Sequence, residues 1–146
     1  MKDIVFVCHG NICRSAMAEF IMKDMVQKAG RVGEFRITSA AVSYEEQGND
    51  MYPPAKAKLR EHGVPFGPHR AHRITREEFD AADLVIVMDN SNVRLLERIV
   101  GASGKVHKMM EYGSYGEDVA DPWYTGDFEE TYRDLVLGCS TLLEEI

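Results

Sequence analysis

The amino-acid sequence predicts an α/β protein of three layers, with a four-stranded parallel sheet between helices. Two short, wholly apolar runs at residues 4–7 and 84–88 have the composition of strands that are buried on both faces. Elsewhere, apolar residues recur at the three- and four-residue spacing of amphipathic helices. Strands that alternate with helices favour a parallel sheet, because each helix returns the chain to the same end of the next strand.

The predicted elements follow one another with short connections. In chain order they are strand 4–7, helix 14–29, strand 35–39, helix 54–62, helix 76–82, strand 84–88, helix 91–100, strand 105–109 and helix 128–146. Gly30, Gly63 and Gly101 stand directly behind three of the helices, where glycine commonly ends a helix. Pro54 at the start of the second helix has the fixed φ that a first turn needs. The strand at 105–109 has the weakest signal.

The last helix has the clearest pattern of the chain. Its apolar face contains Phe128, Tyr132, Leu135, Val136, Cys139, Leu142, Leu143 and Ile146. Asp127 and Glu130 have the spacing of a capping box at its start. We therefore expect this helix to cover one face of the sheet, with Cys139 as a core residue.

Length and charge restrict the classes of function. The 146 residues suit one domain over 1–146. A net charge of −7 disfavours general binding to nucleic acids or membrane surfaces, because both are polyanions. No apolar stretch has the length of a membrane span, and the first apolar run is too short for a signal peptide. Three cysteines provide neither a disulfide framework nor a zinc site. We expect a cytoplasmic protein without metal or cofactor.

The loop after the first strand contains the candidate chemistry. It reads Cys8-His9-Gly10-Asn11-Ile12-Cys13-Arg14-Ser15 and leads directly into a helix. The N–H groups of a helix start, together with a tight loop, form a nest for a tetrahedral oxyanion. Gly10 and Asn11 tolerate the positive φ of such a turn, and Arg14 adds a two-pronged donor. The same donors would stabilise Cys8 as a nucleophilic thiolate. The alternative is a tight strand–helix turn with a structural cysteine.

Residues 5–19, which contain this loop, resemble the signature of low-molecular-weight protein tyrosine phosphatases. Further matches occur in the family's order at Thr38-Ser39-Ala40, His69-x-Ala71 with Ile74-Thr75, Met88-Asp89-x-Ser91-Asn92 and Asp121-Pro122-Trp123-Tyr124. The resemblance covers nearly the whole chain. It implies the family's four-stranded parallel fold and hydrolysis of phosphate monoesters without a metal.

The resemblance also implies roles for individual residues. Cys8 matches the nucleophile that accepts the phosphoryl group, and Asp121 matches the general acid. Arg14 and the loop N–H groups would hold the phosphate oxygens. The phosphate-binding loop comprises His9, Gly10, Asn11, Ile12, Cys13 and Arg14. Ser15 matches the residue whose hydroxyl donates to the nucleophilic sulfur.

Other positions have an expected supporting role. Asn11 and His69 resemble members of a hydrogen-bond network that fixes the loop. Asp89 and Ser91 are expected to cap a helix and to support the loop. Cys13 matches a residue that forms a reversible disulfide with the nucleophile in the family, and the alternative is a small buried residue.

The walls of the cleft should decide the substrate. Ile12, Trp123 and Tyr124 are expected to contact a phenyl ring. In eukaryotic members of the family, a tryptophan on the facing loop forms one wall of the cleft, and Glu45 falls at its position here. Either Tyr44 replaces the tryptophan in that wall, or the cleft is more open and more acidic. An acidic rim would disfavour acidic phosphopeptides.

Two relatives and one non-enzymatic function are the alternatives. Protein arginine phosphatases resemble the chain but usually have threonine at the position of Ile12. Thioredoxin-coupled arsenate reductases need two further cysteines in the middle of the chain, where this sequence has none. The non-enzymatic alternative is a phosphate-binding or redox-sensing module that uses the same loop. The joint presence of Cys8, Arg14 and Asp121 disfavours it, because binding alone needs neither a nucleophile nor an acid. We therefore expect a tyrosine phosphatase that acts on phosphotyrosine-containing proteins and releases phosphate. We expect a monomer, with a weak dimer as the alternative.

Overall fold

Four parallel strands form a single sheet, as the sequence predicts. This computed structural model describes residues 1–113 and 118–146. The strands are β1 (Lys2–Cys8), β2 (Phe35–Ala41), β3 (Leu84–Val87) and β4 (Val106–Lys108), and their order in the sheet is β2-β1-β3-β4. All three pairings are parallel. The weak sequence signal at 105–109 corresponds to the short edge strand β4.

Six α-helices are found in the described residues. They are α1 (Arg14–Lys28), α2 (Pro53–Glu61), α3 (Arg76–Ala81), α4 (Asn90–Val100), α5 (Pro122–Thr125) and α6 (Phe128–Glu145). Short 3₁₀ turns occur at Val32–Glu34 and Met109–Glu111. The sequence pattern located every helix except α5, and the two 3₁₀ turns were also not predicted. Within residues 1–113 and 118–146, none of the helices combines the length and apolar character of a membrane span.

The strand β1 separates two apolar cores, which explains its continuous apolar sequence. Ile4 and Phe6 point into a core shared with α1, α2 and α6. Val5 and Val7 point into a second core, shared with α3 and α4. All four side chains are buried, since successive residues of a strand face opposite sides of the sheet. The three layers expected from the sequence are therefore present.

The start of α6 differs in one detail from the sequence expectation. The carboxylate of Asp127 accepts a hydrogen bond from the Glu130 N–H, at 2.9 Å. The Asp127 N–H, however, donates to the Thr125 hydroxyl instead of to the Glu130 side chain. The predicted capping box is therefore only half formed, because Thr125 at the end of the preceding helix α5 accepts this hydrogen bond. A complete capping box occurs elsewhere, at Thr75 and Glu78 at the start of α3.

One edge of the sheet is partly covered by a loop. Ala41, at the end of β2, forms a parallel bridge with Arg73. The Ala41 N–H donates to the His72 carbonyl at 2.7 Å, and the Ile74 N–H donates to the Ala41 carbonyl at 2.8 Å. The segment from His69 to Ile74 is thereby fixed beside the carboxyl end of the sheet. The loop after β1 begins at that same end.

The core contact of α6 allows a stability test with a matched control. Leu135 is fully buried and Leu137 is 44% exposed on the same helix. Leu135→Ala should lower the free energy of unfolding by about 2–5 kcal/mol, because it removes buried apolar contacts and leaves a cavity. Leu137→Ala should change it by less than about 1 kcal/mol. Urea unfolding of both variants measures the difference, and equal losses would contradict the packing of α6.

Candidate active site

A tight loop joins the end of β1 to the start of α1. Asn11 has a φ of 62° and is the one non-glycine residue with positive φ in the described part of the chain. Gly10, expected to share that conformation, does not adopt it. Space at Gly10 is limited instead, since a Cβ there would lie 3.3 Å from Cγ of Glu46, which would have to shift slightly. No acidic residue occupies the first turn of α1, so its N–H groups remain available to an anion.

The sulfur of Cys8 lies at the start of this loop, among hydrogen-bond donors. The Asn11 N–H donates to Sγ at 3.3 Å, and the Ser15 hydroxyl lies 3.0 Å from Sγ. The Ser15 oxygen itself accepts a hydrogen bond from Nδ2 of Asn11 at 2.8 Å. The Ser15 proton then has two acceptors within reach, the sulfur at 3.0 Å and, at a longer distance of 3.4 Å, the Ala40 carbonyl. The sequence expectation for Ser15 therefore has the required geometry.

Asn11 is fully buried and connects the loop to three other segments. Its side-chain amide donates to the Ser39 hydroxyl of β2, which in turn donates to Glu19 of α1 at 2.6 Å. The backbone carbonyl of Asn11 accepts a hydrogen bond from Nε2 of His69 at 2.6 Å. Ser39 and Glu19 belonged to the matching motifs, but the sequence analysis assigned neither of them a contact.

Arg14 is buried, with only 3% of its side chain exposed. Its Nη1 donates to Oδ2 of Asp89 at 2.8 Å and to the Val119 carbonyl at 2.9 Å. Its Nη2 lies 3.5 Å from Oδ2 of Asp121. Burial disfavours the charged form of the guanidinium. The negative charge of Cys8 and the hydrogen bond to Asp89 outweigh this effect and raise the pKa of Arg14 above its usual value. The guanidinium therefore stays charged and fixed in position.

Asp89 and Ser91, which were predicted together, have different surroundings. Asp89 caps α4 through the Asn92 N–H at 2.8 Å and uses its other oxygen to hold Arg14. Ser91 is exposed on the first turn of α4, and the structure does not bring it to the loop. The neighbouring Asn92 is buried instead and accepts a hydrogen bond from the Met88 N–H. Asn92 belongs to the same matching motif as Asp89 and Ser91, and that motif was the signal that could have identified it.

Asp121 lies across the cleft from the loop, at the start of α5. Its Oδ1 accepts a hydrogen bond from the Trp123 N–H at 3.0 Å, which caps this short helix. Its Oδ2 faces Arg14 and the cleft. One oxygen is thus used for positioning, and the other is available to a bound molecule.

The cleft has a volume of about 160 Å³, and the loop from Cys8 to Arg14 forms its floor. Its walls are formed by Glu45 and Glu46 on one segment and by Asp121, Trp123 and Tyr124 on another. Trp123 is 55% exposed and lies against the ring of Tyr52, with centroids 4.9 Å apart.

Tyr44 does not line the cleft, which corrects the sequence expectation for that wall. Its ring is 65% exposed and packs instead on the guanidinium of Arg73, 4.7 Å from the ring centroid. The wall is therefore acidic, as in the second of the two expectations. Glu46, which the sequence analysis did not single out, is part of it.

The three cysteines are free thiols in different surroundings. Burial, followed by the negative charges of Cys8 and Asp121, raises the pKa of Cys13 to about 12. Burial also raises the pKa of Cys139, which lies in the core. Both thiols are thus protonated at neutral pH.

A group that could ligate a metal lies outside the cleft residues. Glu61, His62 and Glu129 bring their ligand atoms within 4.8 Å of one another. Lys58 Nζ already lies 2.9 Å from Glu61 and 3.3 Å from Glu129. The chain therefore already supplies a cation, the Lys58 ammonium, at this position.

The cleft brings together a sulfur, a fixed cation and a carboxylate. This arrangement can bind an oxyanion and transfer a group to the sulfur.

Comparison with known proteins places the chain among phosphatases. The family model described as low molecular weight phosphotyrosine protein phosphatase matches residues 3–146. The low molecular weight protein-tyrosine-phosphatase YfkJ of Bacillus subtilis is 35% identical, over 100% of this chain and 96% of its own length. The human low molecular weight phosphotyrosine protein phosphatase is 34% identical, over 99% and 95%.

Solved structures have the same fold over the full chain. The crystal structure of YfkJ has a TM-score of 0.95 at 34% identity and covers 100% of this chain and 94% of its own. The crystal structure of a Drosophila arginine phosphatase has a TM-score of 0.87 at 27% identity, and the match covers 99% of this chain and 97% of that one.

The surroundings of the cysteines predict selective alkylation. Iodoacetamide at pH 7 should modify Cys8, the proposed nucleophile, whose sulfur lies in the cleft. Cys13 should stay unmodified, because a thiol with a pKa of about 12 has almost no thiolate at that pH. Peptide mass spectrometry after limited labelling measures the ratio, and orthovanadate should protect Cys8. Comparable labelling of Cys8 and Cys13 would contradict this assignment.

Proposed function

Because the chain belongs to the low molecular weight phosphotyrosine protein phosphatase family, we propose that it hydrolyses phosphotyrosine in proteins through a cysteinyl-phosphate intermediate. The observation that carries this proposal is the convergence of Cys8, Arg14 and Asp121 on one cleft. A site that only bound phosphate would need the cation and the N–H groups, but neither the sulfur nor the opposing carboxylate.

In the first step, the Cys8 thiolate attacks phosphorus and the bond to the tyrosine oxygen breaks. Asp121 donates its proton to that oxygen, so that a neutral phenol leaves. Arg14 and the loop N–H groups hold the three equatorial oxygens, over which charge spreads in the transition state. The hydrogen bonds of Arg14 to Asp89 and to the Val119 carbonyl fix its orientation before substrate binds.

In the second step, water attacks phosphorus and the sulfur–phosphorus bond breaks. Asp121, now a carboxylate, accepts a proton from the water, and inorganic phosphate is the product. The Ser15 hydroxyl, 3.0 Å from Sγ, stabilises the departing thiolate. Asn11 and His69 hold the loop in the geometry that both steps require.

Further parts of the proposal concern oxidation and cellular setting. Cys13 is the proposed partner of Cys8 in a reversible disulfide. Peroxide would convert Cys8 to a sulfenic acid, and the Cys13 thiol would displace water from it. The charge of Cys8 contributes to the raised pKa of Cys13, so the two sulfurs are close enough to interact electrostatically.

The proposed cellular setting is the cytoplasm, because three free thiols suit a reducing compartment. We propose that the protein is a monomer there, with one phosphatase domain over 1–146.

The nucleophile and the substrate class can be tested in one experiment. Turnover of phosphotyrosine and phosphoarginine peptides should be measured without added metal, for the parent and for Cys8→Ser. We expect phosphotyrosine turnover that falls below detection in Cys8→Ser. A preference for phosphoarginine would keep the mechanism and overturn the substrate class. Binding of phosphate without turnover of either peptide would favour the binding module.

The general acid can be tested through the leaving group. Asp121→Ala should lower kcat for phenyl phosphate by about 10²–10⁴-fold, since an unprotonated phenolate leaves poorly. The loss should be much smaller for p-nitrophenyl phosphate, whose leaving group is more acidic. Steady-state kinetics on both esters measure the difference. Equal losses on both would contradict the assignment of Asp121.

A further inference from the structure

We propose that the acidic wall, formed by Glu45 and Glu46, selects phosphotyrosine sites that have a lysine or arginine beside the phosphorylated residue. This inference rests on the proposed function and specifies its substrate class. It assigns a recognition role to two carboxylates that the catalytic steps do not use.

The acidic wall stands directly on the phosphate loop. Oε2 of Glu45 lies 3.1 Å from Nε2 of His9, and its side chain is 69% exposed. Glu46 is half-buried and passes over Gly10, so close that any larger residue there would meet its Cγ. Glu46 also contributes to the raised pKa of Cys13 at the end of the loop. Both carboxylates therefore interact electrostatically with the residues that flank a phosphotyrosine bound in the cleft.

The segment that carries the acidic wall is held by the chain from 71 to 73. The Arg73 guanidinium donates to the Tyr44 hydroxyl at 2.9 Å and stacks on its ring. The Arg73 N–H donates to the side chain of Gln47 at 3.0 Å. Ala71 exchanges two backbone hydrogen bonds with Gly48 and Asn49, each of 2.8 Å. Because the segment is fixed on both sides of Glu45 and Glu46, substrate binding need not order it.

The charge balance of the cleft favours a cationic neighbour. Asp121 is protonated when substrate binds in the proposed first step, so the carboxylates of the lining are Glu45 and Glu46, beside one arginine. Arg14 is buried and already paired with Asp89, and a bound phosphate occupies its remaining donors. The rim outside the phosphate is therefore negative. A lysine or arginine of the substrate is attracted to it, and a glutamate is repelled.

The opposite side of the cleft has surfaces that also accept cations. Trp123 is 55% exposed and Tyr124 is 85% exposed. Exposed aromatic faces bind guanidinium and ammonium groups through cation–π contacts. A basic residue on either side of the phosphotyrosine thus meets a carboxylate or an aromatic ring.

The test compares matched phosphotyrosine peptides whose flanking residues are lysine, alanine or glutamate. At low ionic strength, kcat/KM should be about tenfold higher for the lysine peptide than for the glutamate peptide, because each exposed pair contributes about two- to fivefold. Salt at 0.5 M should reduce this ratio to about twofold, since exposed charges are screened. The double variant Glu45→Gln, Glu46→Gln should have a similarly reduced ratio at low salt. The control variant Glu144→Gln, exposed at the end of α6, should keep the parental ratio.

The outcomes distinguish this inference from the proposed function. Equal turnover of the three peptides by the parent would overturn the selection by the acidic wall and leave the phosphatase activity intact. A ratio that is unchanged in the double variant would also overturn it, because other groups would then cause the preference. Absence of turnover on all peptides and on free phosphotyrosine would overturn the proposed function, and the inference with it.

Discussion

The buried charge of Arg14 is the constraint on which the rest of the site depends. A guanidinium with 3% of its surface exposed must be paired, because an uncompensated buried charge costs several kcal/mol. Three segments that are far apart in the chain compensate the charge of Arg14: Asp89 after β3 and the stretch from Val119 to Asp121 through hydrogen bonds, and Cys8 at the end of β1 through its charge. The parallel pairing of β1 and β3 brings Cys8 and Asp89 together at one sheet edge. The same contacts that neutralise Arg14 thus bring a sulfur, a fixed cation and a carboxylate together in one cleft.

The conformation of Asn11 illustrates why side-chain identity matters in this loop. Glycine would adopt a φ of 62° more easily. Asparagine, however, also donates to Ser15 and Ser39, and so connects the loop to α1 and β2. The two explanations considered for Asn11, tolerance of the backbone conformation and membership of a hydrogen-bond network, therefore apply together. Their combination fixes the loop to both neighbouring elements.

The sequence predicted what local patterns determine, and it failed where distant contacts decide. Apolar runs located β1 and β3, and the loop from Cys8 to Arg14 could be interpreted because strand, turn and helix signals adjoin one another. The helix α5 has only four residues and no period to detect. Tyr44 was misplaced because its partner Arg73 is 29 residues away and is set by tertiary packing. Glu46 likewise lines the cleft because distant contacts place it, since residues 71–73 hold the segment that contains it. No local sequence pattern indicates these contacts.

The bridge between Ala41 and Arg73 has a consequence for self-association. An edge strand exposes a row of unpaired N–H and C=O groups, which can template pairing with another chain. Here the segment around Arg73 covers the carboxyl end of β2, the exposed Arg36 stands on the remaining part of that edge, and the opposite edge strand β4 has only three residues. Both borders of the sheet are therefore poor templates for intermolecular β-pairing. The backbone on either side of Arg73 covers the edge of β2, and the Arg73 side chain holds Tyr44 beside the acidic wall, so one short stretch of chain protects the sheet edge and fixes the rim of the cleft.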